Sequence, residues 1–393
     1  MSIAMVFLIL AGLSSAQDPQ KGFEPAPFHP GVDQGKVNEA IRKGIAYLRS
    51  AGSAGSDEVG PNGNELILWT FIHADVPGSD AQFQRLLKAI LEEPLERTYK
   101  VALQAMCLAE IDRVKHQGRI AQCAQFLVDN QCKNGQWPYG TPTDFVKEIP
   151  SPGEVRKDVS TSGNAGPSSP PEARQKPRVA NTITIKKKKE GPESGDNSNA
   201  QYAALGLRAC HDAGVKVQEG VLLLAMNWWR QSQQRGKDNG YGGMGGWTYT
   251  TDAGKPVLCS MTAGAVGSLI LYDYMLGREW KKDAAVMAGM AWLTVNFTVT
   301  ENKGRPTPGD WHHYYLYAME RMAILYGTEK LGRHEWYPEG AKVLLESQRE
   351  NGSWDGAHSY APLAHDEWST CFAILFLKRA TRPLVASVDA GKK

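Results

Sequence analysis

The chain has 393 residues, 42% of them hydrophobic and 22% charged, with a formal charge of +2. That length and apolar fraction bury a sizeable core and exclude a disordered chain, while the near-neutral charge excludes the positive field that a nucleic-acid partner needs. The six cysteines show no CxxC or CxH spacing, which argues against a structural zinc site, and most lie in apolar helical patterns as small buried hydrophobes.

The first residues, MSIAMVFLILAGLSSAQ, carry an apolar run from Ile3 to Leu13 and then Ser14-Ser15-Ala16, a small-residue cleavage pattern. Residues 1–16 are therefore expected to be a signal peptide, and the protein secreted or periplasmic. No segment reaches the length of a transmembrane helix, so no integral membrane span is expected. After a linker over 17–36, two textures of helix alternate. VNEAIRKGIAYLRS (37–50) has a polar face, and NELILWTFIHA (64–74) is apolar nearly all round. The same alternation follows with DAQFQRLLKAILEE (80–93) and TYKVALQAMCLAEI (98–111), then RIAQCAQFLVDNQ (119–131) and NAQYAALGLRACHDA (199–213). It continues through EGVLLLAMNWWRQSQ (219–233), SMTAGAVGSLILYDYML (260–276), KDAAVMAGMAWLTVN (282–296) and WHHYYLYAMERMAILYG (311–327). EGAKVLLESQRE (339–350) and DEWSTCFAILFLKRA (366–380) complete it. A helix with a polar face lies on a surface, and one apolar on all sides is buried on all sides. Six outer helices alternating with six inner ones predict an all-α fold, an α/α toroid of six helical hairpins over 37–380.

A motif recurs where outer helices end. QCKNGQW (131–137) and QRENGSW (348–354) share Gln-x-x-Asn-Gly-x-Trp, and a looser copy, NGYGGMGGW, runs from Asn239 to Trp247. Asn-Gly supplies a left-handed conformation to end the helix, Trp turns back over that end, and Gln is placed to bond orphan carbonyls or amides. The stretch 141–195, rich in Pro, Ser, Gly and charge, reads as a disordered insertion in the third hairpin, with TITIKKKKE able to form a short ribbon. Residues 381–393 read as a C-terminal tail.

The leucine-rich helix followed by Gln-x-x-Asn-Gly-x-Trp resembles the QW repeat of the squalene–hopene cyclase and protein prenyltransferase superfamily, in particular secreted bacterial proteins of the prenyltransferase and squalene oxidase repeat type. The resemblance implies an α/α toroid over most of residues 37–380. Active cyclases of that superfamily carry a DxDD acid. No DxDD occurs here, and the nearest counterpart is DNSN, Asp196 to Asn199. A lone carboxylate without a neighbouring acid does not protonate an alkene. Protein prenyltransferases hold a catalytic zinc through Asp, Cys and His, but in DEWSTCFAILF Ser369 stands where the His would be. Cys259 and His365 lie near helix starts without reproducing the pattern. No metal and no cofactor are expected.

Parallel inner helices bring their N-termini to one mouth of the ring, a polar rim where a site is expected. The candidate catalytic residues are Asp196, His312 and Glu320. The candidate ligand-binding residues are Asn199, Tyr202, Ser260, Thr262, His313, Tyr315, His365, Trp368 and Ser369. Asp196, Asp310 and Asp366 also stand just before helices, where Asp caps. Glu320 lies inside an inner-helix pattern and needs Arg321, another partner or a wet cavity. Small residues at Ala203, Gly206, Gly264 and Gly267 beside Tyr202, Tyr315 and Trp368 are expected to leave apolar space, so the expected partner is an apolar or isoprenoid small molecule. A glycan-active toroid, hydrolase or lyase, drawing on Asp196, Asp310, Glu320 and Asp366, remains an alternative, as does a non-catalytic scaffold.

Overall fold

The computed structural model describes residues 25–51, 63–149, 179–235, 243–250, 254–307, 309–356 and 366–384. The expected signal peptide, the 150–178 part of the insertion and His365 lie outside them. Among the described residues twelve α-helices follow one another: α1 (Gln34–Ala51), α2 (Gly63–His73), α3 (Ala81–Glu92), α4 (Thr98–Asp112), α5 (Gln117–Asp129), α6 (Asn197–Asp212), α7 (Glu219–Ser232), α8 (Cys259–Met275), α9 (Ala284–Val295), α10 (His312–Tyr326), α11 (Trp336–Ser347) and α12 (Asp366–Leu377).

The even-numbered helices form the inner ring. Each touches the next, and α12 returns to α2, so the fold is a closed all-α toroid of six hairpins. The two textures seen in the sequence map onto the two layers. In α4 every residue from Thr98 to Ala109 is buried, whereas α3 buries only Phe83, Leu86 and Ile90, one stripe at helical spacing. Asp80 starts α3 by accepting from the Gln82 and Phe83 amides. The inner helices run parallel. At their starts, Thr98 N donates to Tyr139 O (2.7 Å), just before α6 in space, and Asn197 N donates to Tyr249 O (3.1 Å), on the approach to α8. At their ends, Arg113 after α4 meets the Asp212 carbonyl of α6 (3.0 Å), and Lys378 after α12 pairs with Asp75 after α2 (2.7 Å).

The repeated motif is a joint between hairpins. The indoles of Trp137, Trp247 and Trp354 are fully buried and donate back to carbonyls of the preceding outer helix, Leu127 (2.7 Å), Trp229 (2.8 Å) and Leu344 (2.9 Å). The glutamines reach forward to the next outer helix: Gln131 to Val221 O, Gln233 to Ala285 O and Gln348 to Ala40 O, at 2.8, 3.0 and 2.9 Å. Gly135 and Gly352 have φ of 96° and 89°, and a Cβ there would meet Leu224 O or Lys43 O of that next helix at 2.4 Å. Glycine thus serves both the left-handed turn and the close approach. The last hairpin reaches the first through Gln348 and Ala40, which closes the outer layer too.

Of the stretch 141–195, expected as a disordered insertion, residues 141–149 and 179–195 are described and carry short elements of structure. Residues Asp144–Glu148 form a 3-10 helix, and Ile183–Ile185 (β1) pairs in parallel with Val215–Val217 (β2). The backbone of the lysine run is tied down while Lys186, Lys188 and Lys189 stay exposed: Lys188 N and Lys189 N donate to Asp129 Oδ1 (2.8 and 3.3 Å), and Lys187 Nζ reaches Gln131 O (3.2 Å). The cause is the C-terminal end of α5, whose side chains and carbonyls need partners that this segment supplies. Likewise the start of the expected tail is packed, since Thr381 donates to Glu320 and Arg382 pairs with Glu110 at 2.9 Å. No helix among the described residues is long and apolar enough to cross a membrane, and all six cysteines are buried and free.

Candidate functional site

The N-terminal mouth holds most of the candidates, and most of its polar groups are engaged in building the ring, although the buried Asn199 Oδ1 has no hydrogen-bond partner among the described residues. Asp196 caps α6: its Oδ1 accepts from Asn199 N (2.8 Å) and Ser198 Oγ (2.6 Å), and its Oδ2 accepts from Asn199 Nδ2 (2.7 Å). Ser260 exchanges two hydrogen bonds with Asn302, both 3.0 Å, which ties α8 to the loop after α9. Thr262 Oγ1 accepts from Trp247 N (3.1 Å) just as Thr370 Oγ1 accepts from Trp354 N (3.1 Å), so Thr262 belongs to the joint. His312 Nε2 contacts Val299 O (2.8 Å), with the buried His313 tilted against its ring (5.2 Å). Trp368 stacks on Trp311 at 6.4 Å. Ser369 is buried on the first turn of α12. Asp366 accepts from Gly356 N (2.8 Å) and pairs with Arg349 (2.6 Å). The carboxylates that a glycan enzyme would draw on are therefore dispersed among separate helix starts, with Glu320 at the other end of the ring.

The ring's centre is filled by aromatics. Tyr202 lies against Tyr99 (4.3 Å between centroids) and Tyr314 (6.3 Å), Tyr317 stacks on Phe372 (6.0 Å), and Trp69 Nε1 donates to Tyr317 Oη (2.9 Å). Tyr315 instead bonds the Thr298 carbonyl of the loop after α9 (3.0 Å), away from its neighbours Tyr314 and Tyr317. Gly206 and Gly264 close space rather than open it, whereas a Cβ on Gly267 would meet only Leu325 Cδ1 at 3.8 Å. A Cβ on Gly206 would meet Ala102 Cα at 2.8 Å, and one on Gly264 would meet Gln201 Oε1 at 2.4 Å. They let α6 approach α4 and let Gln201 enter the wall of α8. Only a void of about 10 Å³ remains beside Gly264 and Gly267.

A larger cavity opens at the C-terminal mouth. It holds about 80 Å³ and is walled by Trp69, Met106, Leu205 and Tyr317, with Arg113, Arg208 and Arg321 around it and Ala380, Thr381 and Arg382 across the outside. Glu320 fastens that outer strand: its two oxygens accept from Thr381 N (2.9 Å) and Thr381 Oγ1 (2.6 Å). Burial pushes the Glu320 carboxyl up to about 7 against the pull of these bonds. Arg321 makes no ion pair with it and acts on it only at longer range. Adjacent helix positions face different sides, and the Arg321 guanidinium turns into the ring, 4.2 Å from the Tyr317 centroid and 3.1 Å from Gln201 Oε1.

A second perturbed acid escaped the sequence reading. Glu65, fully buried on the first turn of α2, is pushed up to about 8 by burial, with Lys100 pulling the other way. Lys100 itself pairs with Glu93 at 2.6 Å. The clue was present in GNELILW, a carboxylate inside an all-round apolar pattern. Among the described residues no group of three or more His, Cys, Asp or Glu converges as a metal site, and burial pushes the Cys259 thiol up to about 12.

No protein-family model matches the chain, and no curated protein matches it. Among solved structures the chain is similar to the type II terpene cyclase MstE from Scytonema in its apo form, at 12% identity and a TM-score of 0.48, over 88% of this chain and 99% of that one. A variant of the same cyclase in complex with geranylgeranyl dihydroxybenzoate gives the same identity and TM-score over 88% of this chain and 97% of that one.

Proposed function

We propose that this protein is a binding toroid that takes an apolar ligand of isoprenoid type at the C-terminal mouth of its ring. The observation that carries the reading is the cavity of about 80 Å³ between Trp69, Met106, Leu205 and Tyr317. An apolar cavity of ~150 Å³ holds benzene, so this one has room for a branched group of a few carbons. Aromatic faces on Trp69 and Tyr317 suit a branched or unsaturated chain end, and the remainder of a longer ligand would leave beneath the strand 380–382. At the other mouth, Asp196 serves as a helix cap, which supports binding rather than cyclisation. The apolar run Ile3 to Leu13 and the Ser14-Ser15-Ala16 pattern lead us to place the mature protein outside the cytoplasm.

Native mass spectrometry of the purified protein, after solvent extraction and incubation with farnesol or squalene, tests the reading. Retention of either by the native chain, and its loss in Trp69→Ala, is the expected result. No retention together with cleavage of an oligosaccharide would move the assignment to a glycan-active enzyme.

A further inference from the structure

We propose that the cavity at the C-terminal mouth is an oxyanion site, in which Arg321 and Arg113 together receive the carboxylate or phosphate group of a small ligand. The inference rests on the binding reading above only for the choice of cavity. Four guanidinium groups line it, those of Arg113, Arg208, Arg321 and Arg382, against two carboxylates, Glu110 and Asp212. Two of the four are paired: Arg382 with Glu110 at 2.9 Å and Arg208 with Asp212 at 3.2 Å. Neither Arg113 nor Arg321 forms an ion pair among the described residues.

Arg321 decides the matter. It is 4% exposed, and arginine does not shed its proton on burial. Its Nη2 donates to Gln201 and its plane lies over Tyr317 and, at 5.5 Å, Tyr202, but Nη1 has no hydrogen-bond partner among the described residues. No carboxylate among the described residues lies within ion-pair distance of it, Glu320 acting on it only at longer range, and the guanidinium borders the cavity.

The obvious structural role for arginines here is to serve helix C-termini. Arg113 does so in part, through Nη1 to the Asp212 carbonyl at 3.0 Å, yet its Nε stays unpartnered. Arg321 sits inside α10 and serves no helix end. Both guanidiniums line one small cavity, and an oxyanion bound there would supply acceptors to both forks. The apolar wall of Met106, Leu205 and Trp69 leaves space for a short hydrocarbon body behind the anion.

Calorimetric titration at low ionic strength with isovalerate, isoamyl alcohol and inorganic phosphate tests this, because the first two share a branched body and differ in the charged head. Isovalerate is expected to bind at least about tenfold more tightly than the alcohol. Arg321→Met and Arg113→Met should each erase most of that preference. If Arg321→Met fails to fold, as its melting curve will show, Arg113→Met at the more open side decides alone. Binding of phosphate but of neither organic probe identifies an inorganic oxyanion as the occupant, which upholds the anion site and sinks the apolar reading. Equal binding of isovalerate and the alcohol overturns the anion site and leaves the apolar reading standing. Failure of all three to bind overturns both and leaves water as the occupant.

Discussion

The two mouths of the ring are built from the same twelve helices and differ in what their polar groups still have to do. At the N-terminal mouth, Asp196, Ser260, Thr262 and Asp366 each bond a backbone amide or a neighbouring side chain, and the motif tryptophans lie directly behind them. At the C-terminal mouth, Arg321 Nη1 and Arg113 Nε have no hydrogen-bond partner among the described residues, as is also true of Asn199 Oδ1 at the other mouth, but the two arginines border a cavity. A rim rich in polar residues is thus not by itself a site. Helix starts collect Asp, Ser, Thr and Asn because four amides there need acceptors, and a ring of six starts gathers many such residues without any ligand.

The largest expected effect belongs to the structural mouth. Trp137→Ala or Trp354→Ala removes a fully buried indole and its bond to the preceding outer helix, and is expected to cost about 4 kcal/mol in urea denaturation. Ligand binding at the other mouth should be unchanged in whatever fraction remains folded. A loss of affinity in the folded fraction would show that the two mouths are coupled and that the contrast is drawn too sharply.

Next in size is a pH effect at Glu65. Its folded carboxyl is raised from 4.5 to about 8, so between those values the native state holds a proton that the unfolded chain has released. Stability must then fall as pH rises through that window, and level off above it. Glu65→Gln should flatten this part of the profile and, at pH near 9, leave the variant more stable than the parent by on the order of 3 kcal/mol. Equal slopes in parent and variant, measured by thermal melts across pH, would remove Glu65 as the cause.

Glu320 sharpens the comparison from the other mouth. It is raised to about 7 with the opposing Thr381 bonds already included, so its contribution likewise declines as pH rises from 4.5 to about 7 and is flat beyond, with a span on the order of 2 kcal/mol. Because Glu320 holds Thr381 across the cavity, Glu320→Gln should also speed hydrogen exchange at the Thr381 amide. Unaltered exchange there would mean that Lys378 with Asp75 and Arg382 with Glu110 suffice to hold the strand.

The architecture was legible because its signals are local and repeated. Periodicity separates α3 from α4, and the Gln-x-x-Asn-Gly-x-Trp copies place the joints. The cavity was not legible, since Trp69, Met106, Arg113, Leu205 and Arg321 come from four helices and one helix end that meet only when the ring closes. The sequence did flag Glu320-Arg321 as a charged pair in an apolar helix, and helical geometry explains why the two serve different tasks. Small residues misled for a related reason: from sequence, Gly206 and Gly264 suggest empty space, whereas in a closed ring they mark where neighbouring helices come closest. The anchoring of Thr381 and Arg382 was not legible because the residues that hold them, Glu320 and Glu110, lie 61 positions away in one case and far back on α4 in the other.

The smallest expected effect is the most telling for the N-terminal mouth. Asp196 is the one carboxylate where the superfamily resemblance would put acid chemistry. The geometry makes it a cap with three hydrogen bonds, to Asn199 N, Ser198 Oγ and Asn199 Nδ2. Asn is as good a cap as Asp, and in Asp196→Asn only the bond from Asn199 Nδ2 loses a suitable acceptor. The variant should therefore lose about 1 kcal/mol or less and keep full affinity for farnesol and for isovalerate. A catalytic acid behaves differently, because replacing it with the amide abolishes proton donation while leaving the fold intact. Incubating parent and variant with squalene and looking for cyclised product separates the two roles. Turnover by the parent and none by Asp196→Asn would reinstate the N-terminal mouth as an active site, and no product from either leaves the capping role standing.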